Sequence, residues 1–221
     1  MLFRSVSQSR YEQTRIADRS QDYVPLGPWS SLQVIGQVNL TYIVTQDDKK
    51  MVLIDQHAAH ERVAFEKLMS SWKLGKFETQ DFLFPLSLEL PIDRLEALLS
   101  ESENLQKMGV DIERLGPQIV GIKSGPGLLK DSALLATLEK LSLEIVENGG
   151  SFSFDKKIAD IFASMACHSV VRAGQALSHE EMRSLLIDMD QFPLSSYCPH
   201  GRPVSLEFNF QQLEKDFGRR I

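Results

Sequence analysis

The stretch Met51–Trp72, MVLIDQHAAHERVAFEKLMSSW, decides how the rest of the chain is read. Met51, Val52, Leu53 and Ile54 form a short apolar run after the turn-rich Gln46-Asp47-Asp48-Lys49-Lys50, which predicts a strand. The pattern then turns helical, because Ala58, Ala59, Ala64, Phe65, Leu68, Met69 and Trp72 recur at helical spacing without Gly or Pro. Asp55 sits at the junction, where a strand end presents a side chain to a site. At about 100° per residue, Phe65, Leu68, Met69 and Trp72 fall on one side, with Glu61 in the same stripe. His57 lies one turn before Glu61, so the two side chains can converge. A carboxylate on a buried face must be paired, protonated or metal-bound. One at the edge of the stripe snorkels to water instead, and the helix alone leaves both readings open. Glu66 lies roughly opposite, next to Arg62, and the two read as a solvated ion pair.

On the N-terminal side, Leu32–Ile35 and Leu40–Val44 read as strands, the second forming a hairpin with Met51–Ile54 across the Asp47-Asp48 turn. Residues 1–30 are polar, end near Pro25-Leu26-Gly27-Pro28, and read as a linker or disordered tail, which suggests one piece of a longer protein. Beyond Trp72, Gly75 breaks the helix and Phe82–Leu90 is an apolar run interrupted by Pro85. Asp93–Met108 reads as one helix, Val110–Ile122 as strand with a Gly116-Pro117 turn, and Leu134–Glu147 as another helix after a break at Gly125-Pro126-Gly127. Residues 77–150 carry no His or Cys and read as a small lobe inserted into a main one built from 31–76 and 151–221. The fold class expected is α+β in two lobes. Phe154–Ala173 is apolar on most sides, which places it at the centre of a core or in a subunit interface, with Gly174 ending it. Ser178-His179-Glu180-Glu181 is a capping box for the next helix. A loop then leads to Cys198-Pro199-His200-Gly201-Arg202-Pro203, a strand at Val204–Phe208 and a short helix at Gln211–Arg219.

Composition sets the class. The 221 residues are 43% hydrophobic and 24% charged, ordinary for a globular protein with a sizeable core. A net charge of −6 disfavours strong nonspecific binding to nucleic acid by this chain alone. Two cysteines are too few for a disulfide scaffold and, without a secretory signal pattern, read as thiols in a reducing cytoplasm. No apolar run is long enough to span a membrane.

The potential ligands are His57 with Glu61, Cys167 on the apolar helix, and the pair Cys198 and His200. In an extended loop residues i and i+2 point the same way, so Cys198 and His200 can share a metal. Thiolate, imidazole and carboxylate together suit zinc or a neighbouring first-row ion. Cys167 alone also fits a small core residue. His60 and His179 read as surface residues, and Arg202 suits a phosphate beside a metal site or an ordinary turn.

Asp55-Gln56-His57-Ala58-Ala59-His60-Glu61, followed by Glu66, resembles the DQHA-x2-E-x4-E signature of MutL mismatch-repair proteins that carry an endonuclease. Cys198–Pro203 is similar to their second signature, Ala166-Cys167 begins the third, and Phe217-Gly218-Arg219 resembles the terminal F-x-R element. The resemblance covers Leu32 to the end, with one departure: His168 stands where the family usually has Arg or Lys. It implies that the chain-end lobe dimerises and carries the nuclease, and that the inserted lobe is regulatory. It also implies a homodimer that nicks the new strand of double-stranded DNA by metal-assisted hydrolysis, with Zn²⁺ and/or Mn²⁺. ATP would belong only to an N-terminal region, and a MutS-type mismatch sensor would be a partner. By resemblance His57, Glu61, Cys167, Cys198 and His200 would hold metal, and Asp55 would be the essential carboxylate, as ligand or as base. Gln56 and Glu66 would support the catalytic carboxylates, with Arg202 and Arg219 near the phosphate. A non-catalytic dimerisation module is the competing reading, and an unrelated zinc hydrolase a third. Finally, Gln80-Asp81-Phe82-Leu83-Phe84-Pro85 is similar to peptides that dock on a replication sliding clamp, with Gln80, Phe82, Leu83 and Pro85 as contacts; a strand entering the lobe's own core is the alternative.

Overall fold

The computed structural model describes residues 27–149, 152–169, 175–192, 197–199 and 201–219. It is mixed α and β, with two antiparallel sheets. The first sheet holds β1 (Gln33–Val38), β2 (Tyr42–Gln46), β3 (Lys50–Asp55) and β7 (Ser205–Asn209), in the order β1-β2-β3-β7. The expected hairpin is present, with Tyr42 opposite Asp55 and Gln46 opposite Met51. Asp47 closes it by accepting from the backbone N–H of Lys49 and Lys50 at 2.7 and 2.8 Å, and those bonds hold its carboxyl below the usual range. β7 comes from the far end of the chain and completes the sheet beside β3.

Alternation in these strands separates two faces. Val34, Ile43, Val52 and Ile54 are buried against Ala58, Ala59 and Val63 of α1 (Gln56–Leu74) and Met182, Leu185, Leu186 and Met189 of α6 (His179–Asp190). The capping box of α6 forms as the sequence predicts, between Ser178 and Glu181. The opposite face exposes Val38, Tyr42, Leu206 and Phe208.

The second sheet, in the order β4-β6-β5, consists of β4 (Thr79–Glu89), β5 (Asp111–Arg114) and β6 (Ile119–Pro126). Against it pack α2 (Ile92–Ser100), α3 (Ser102–Lys107) and α4 (Asp131–Asn148). Their core continues into the C-terminal half of α1, through Leu68, and into α5 (Phe154–Ser169). α1 therefore feeds both cores. It ends at Gly75, whose φ of 61° is left-handed and whose N–H returns to Ser71 and Trp72. The last helix, α7 (Phe210–Asp216), buries none of its residues.

Several expectations change. Residues 1–26 lie outside the described residues, but Gly27–Ser30 are not linker: Asp190 accepts from Trp29 N–H and Ser30 N–H at 2.7 and 3.0 Å and pins this turn to α6. Asp93–Met108 is two helices, because Ser100 bonds back to Ala97 O and the chain leaves helical geometry at Glu101, letting Leu105 and Met108 reach the core that Leu95 and Leu98 share. Gly125 and Pro126 belong to β6 rather than to a break; a Cβ on Gly125 would meet Leu134 at 2.6 Å.

The apolar helix α5 packs as a core helix. Ile158, Ile161, Phe162, Met165 and Ala166 are buried within the chain, and Phe162 meets Trp72 edge-on at 6.2 Å. Its surface is covered by α1 and α4, so its apolarity needs no second subunit; Val170, Val171 and Gly174 lie outside the described residues. Phe162→Ala should lower the unfolding free energy by about 3–5 kcal/mol in urea titrations, the cost of an aromatic deleted from a closed core.

Candidate active site

The site grows from the turn where β3 becomes α1. Asp55 is the last residue of the strand and the N-cap of the helix, with φ −72° and ψ 109°. Its Oδ1 accepts from His57 N–H at 2.9 Å and Ala58 N–H at 3.0 Å, satisfying two of the helix's orphan donors. Both cap bonds fall on Oδ1, so Oδ2 is not spent on the cap. Asp55 N–H donates to Val204 O at 2.9 Å, which fastens the approach to β7 against this turn. Asp55 and Arg202, together with Tyr42, Leu53 and Leu206, line a cavity of about 290 Å³.

One turn into α1, His57 Nε2 lies 3.3 Å from Glu61 Oε1. Glu61 is buried, its side chain only 5% exposed, which removes the snorkelling reading. Cys167 reaches the same carboxylate from α5. Burial pushes its thiol up, and so do the hydrogen bond to Glu61 and that carboxylate's charge, while the Arg202 guanidinium pulls the other way. Cys198, buried in its loop, also acts on Cys167. The fold thus brings together His57, Glu61, Cys167, Cys198 and Arg202 from three separated parts of the sequence. His200 lies outside the described residues.

The Cys198 loop is not extended. Gly201 N–H bonds to Cys198 O at 2.9 Å, Cys198 N–H to Arg202 O at 2.8 Å, and Gly201 has φ 79°. Cys198 thus sits in a tight turn, favoured by Pro199 and Gly201, and the expected pairing of Cys198 with His200 falls on a residue outside the described ones. Among the described residues no three of His, Cys, Asp and Glu are gathered closely enough to hold an ion, so these donors are neighbours rather than a closed coordination shell. Their chemistry, a buried carboxylate beside imidazole and thiol, still fits zinc or a similar ion.

Other predicted residues fall differently. Gln56 is fully buried with its amide bonded to Leu40 O and Gln175 O, so it holds the turn. Glu66 does pair with Arg62, but the pair is mostly buried, at 22% and 14% exposed, with the guanidinium 5.7 Å above the Phe65 ring. His60 is not a surface residue: its Nδ1 donates to Gln56 O at 2.6 Å, it faces Glu181 and Asp188 of α6, and burial holds its pKa down. Arg219 shares a cavity with Phe217, Phe210 and Asp48 at the Lys50 end of β3, the opposite end from Asp55, about 17 Å along a six-residue strand. Within one chain it does not join the site. In β4, pairing with β6 is interrupted between Asp81 and Leu86. Phe82 packs on the core, whereas Leu83 and Phe84 are 90% and 79% exposed, so the stretch does not enter the core as a whole. Gln37, Gln175 and Asp188 went unnoticed in the sequence, where no periodicity or motif marks them.

Strand, helix cap and the carboxylate–imidazole–thiol neighbourhood define an α+β domain with a candidate site at a strand-to-helix turn. Residues 35–177 match the MutL C terminal dimerisation domain, and the chain belongs to that family. It is 38% identical over 193 residues to the DNA mismatch repair protein MutL of Trichlorobacter lovleyi, covering 87% of this chain and 33% of that protein. Similarity to the proteins of the same name from Syntrophotalea carbinolica (40% over 198 residues, 87% and 31% covered) and Geobacter sulfurreducens (40% over 193 residues, 87% and 32%) is of the same order. The chain spans about a third of the length of these relatives. Among the described residues no helix is long and apolar enough to cross a membrane.

Two outcomes follow from this geometry. Asp55→Ala should cost about 1 kcal/mol of stability through the lost cap, and Asp55→Asn only a few tenths, both read by urea unfolding. In chelator-treated protein, Cys167 should alkylate slowly at about pH 8, and Glu61→Gln should speed it up. Removing the neighbouring negative charge lowers the thiol pKa and raises the thiolate fraction; an unchanged rate would break the link between the two side chains.

Proposed function

We propose that this chain is the dimerisation and endonuclease domain of a MutL protein, nicking double-stranded DNA during mismatch repair. The observation that carries this is the buried Glu61, met by His57 from its own helix and Cys167 from α5, beside the Arg202 loop that β7 fastens to Asp55. A buried carboxylate beside an imidazole and a thiol has no use in a module that only dimerises. His57, Glu61, Cys167 and Cys198, with His200, would hold Zn²⁺ or Mn²⁺, which when bound polarises a phosphate and lowers the pKa of water. Arg202 in the Asp55 cavity suits a phosphodiester oxygen. Asp55 Oδ2, left over from the cap, would serve as a further ligand or as the base for an attacking water.

The architecture proposed with this function has two lobes, the catalytic one from residues 31–76 and 151–221 and a regulatory one from 77–150. Self-association would use the exposed sheet face of Val38, Tyr42, Leu206 and Phe208. A charge of −6 works against DNA binding by this part alone. Partners that concentrate it on DNA compensate by raising the effective concentration. A MutS-type sensor is one. A sliding clamp is another, taking Gln80 and the exposed Leu83 where β4 leaves its register.

Supercoiled-plasmid nicking with Mn²⁺ tests the reading. Wild type should convert plasmid to open circles, Asp55→Asn should lose this while staying folded, and Cys198→Ser should lose bound metal. Equal nicking by Asp55→Asn, or none by wild type in the presence of clamp, would leave the non-catalytic dimerisation module. In the same assay Gln80→Ala with Leu83→Ala should remove stimulation by a clamp; unchanged stimulation would exclude this stretch as the contact.

A further inference from the structure

Gln37 stands in β1 between the exposed Ile35 and Val38, yet its side chain crosses to the strand-to-helix turn. Its Nε2 donates to Gln56 Oε1 and, at 2.9 Å, to Gln175 O; its Oε1 accepts from Leu177 N–H at 3.1 Å. Gln56 in turn donates through Nε2 to Leu40 O at 3.0 Å and Gln175 O at 3.1 Å. Its backbone N–H donates to Thr41 O at 3.0 Å, and its carbonyl receives His60 Nδ1–H at 2.6 Å.

These contacts fix the orientation of both amides. Two carbonyl oxygens face one end of Gln56, so that end is the NH₂ and its oxygen points at Gln37, which must donate. Leu177 N–H needs an acceptor, so the other end of Gln37 is its oxygen. A primary amide of this length meets both demands; a carboxylate or an apolar side chain meets one or neither. Asp55 and His57 flank Gln56, so the placement of Gln56 sets the backbone from which both project.

We propose that Gln37 is a positioning residue for the candidate site: its amide locks Gln56, and through it the turn that aims Asp55 and His57. The catalytic consequence rests on the nuclease reading, whereas the ordering of the turn is measurable without it. Gln37→Glu keeps the size and the acceptor for Leu177 but sets a carboxylate against Gln56 Oε1 and Gln175 O. Gln56 cannot flip to compensate, since its oxygen would then face the Leu40 and Gln175 carbonyls.

The test uses the full chain with Gln37→Glu, with Gln37→Asn, whose amide is a methylene short, and with Gln33→Glu as a control on the same strand. Amide hydrogen exchange at His57 and Ala58, the N–H groups that Asp55 caps, should quicken roughly tenfold in both Gln37 variants and stay unchanged in the control. Plasmid nicking over a range of DNA concentrations should show kcat down about tenfold with KM unchanged. Wild-type exchange in a folded Gln37 variant, or a rise in KM in place of the fall in kcat, would overturn the proposal. Should Gln37→Glu not fold, Gln37→Asn decides on the same criterion. A wild type that does not nick sinks the nuclease reading and leaves the exchange result to judge Gln37.

Discussion

Asp55 holds together three elements that the chain supplies separately. Through its backbone it closes β3 and takes the Val204 carbonyl at the approach to β7; through Oδ1 it starts α1. A cap at the end of an interior strand removes any slack between sheet and helix. α1 leaves β3 without a loop residue, because Gln56 is already helical. The cost is rigidity at one point: whatever tilts this turn moves Asp55 and His57 together. The gain is that a charged side chain is held at a strand end by backbone groups, which do not drift as a flexible side-chain partner would.

From that turn α1 runs 19 residues, about 28 Å at 1.5 Å per residue. Its first half packs on the four-stranded sheet and α6, its second half on α5 and the core of the three-stranded sheet. Glu61 falls in the first half, between Ala59 and Val63 of the first core. Its carboxylate is buried there, and α5 brings Cys167 to it. The same arrangement explains why α5 is apolar on so many sides, since α1 and α4 both cover it.

Much of this is written in local patterns. The hairpin, the helix from Gln56 to Gly75 and the capping box at Ser178 follow from short-range rules, and the structure has them. The convergence of His57 and Glu61 is a matter of helical spacing and was legible for that reason. What could not be read depends on partners distant in sequence. The burial of His60 comes from α6. The pinning of Trp29 and Ser30 comes from Asp190, 160 or so residues away. α5 was ambiguous because apolarity alone does not say whether a helix is covered by its own chain or by another. The Cys198 loop misled through the opposite fault: a strand rule was applied where Pro199 and Gly201 make a turn.

Glu61 and Cys167 show what the site does to its own groups. Burial, then the hydrogen bond to Glu61 and that carboxylate's charge, make the Cys167 thiol hold its proton more tightly, so that Cys167 stands as a hydrogen-bond donor to Glu61. Arg202 opposes this from the loop, so the thiol stands between a negative and a positive neighbour. A cation held by the proposed ligands would reinforce the Arg202 side of that balance and expel the proton that the Cys167 thiol now retains. Loading of the proposed site would therefore be tied to proton release, as thiolate ligation is. The sign of the electrostatics is the point: burial and the Glu61 carboxylate keep the Cys167 thiol protonated, and positive charge brought to the proposed site would oppose that.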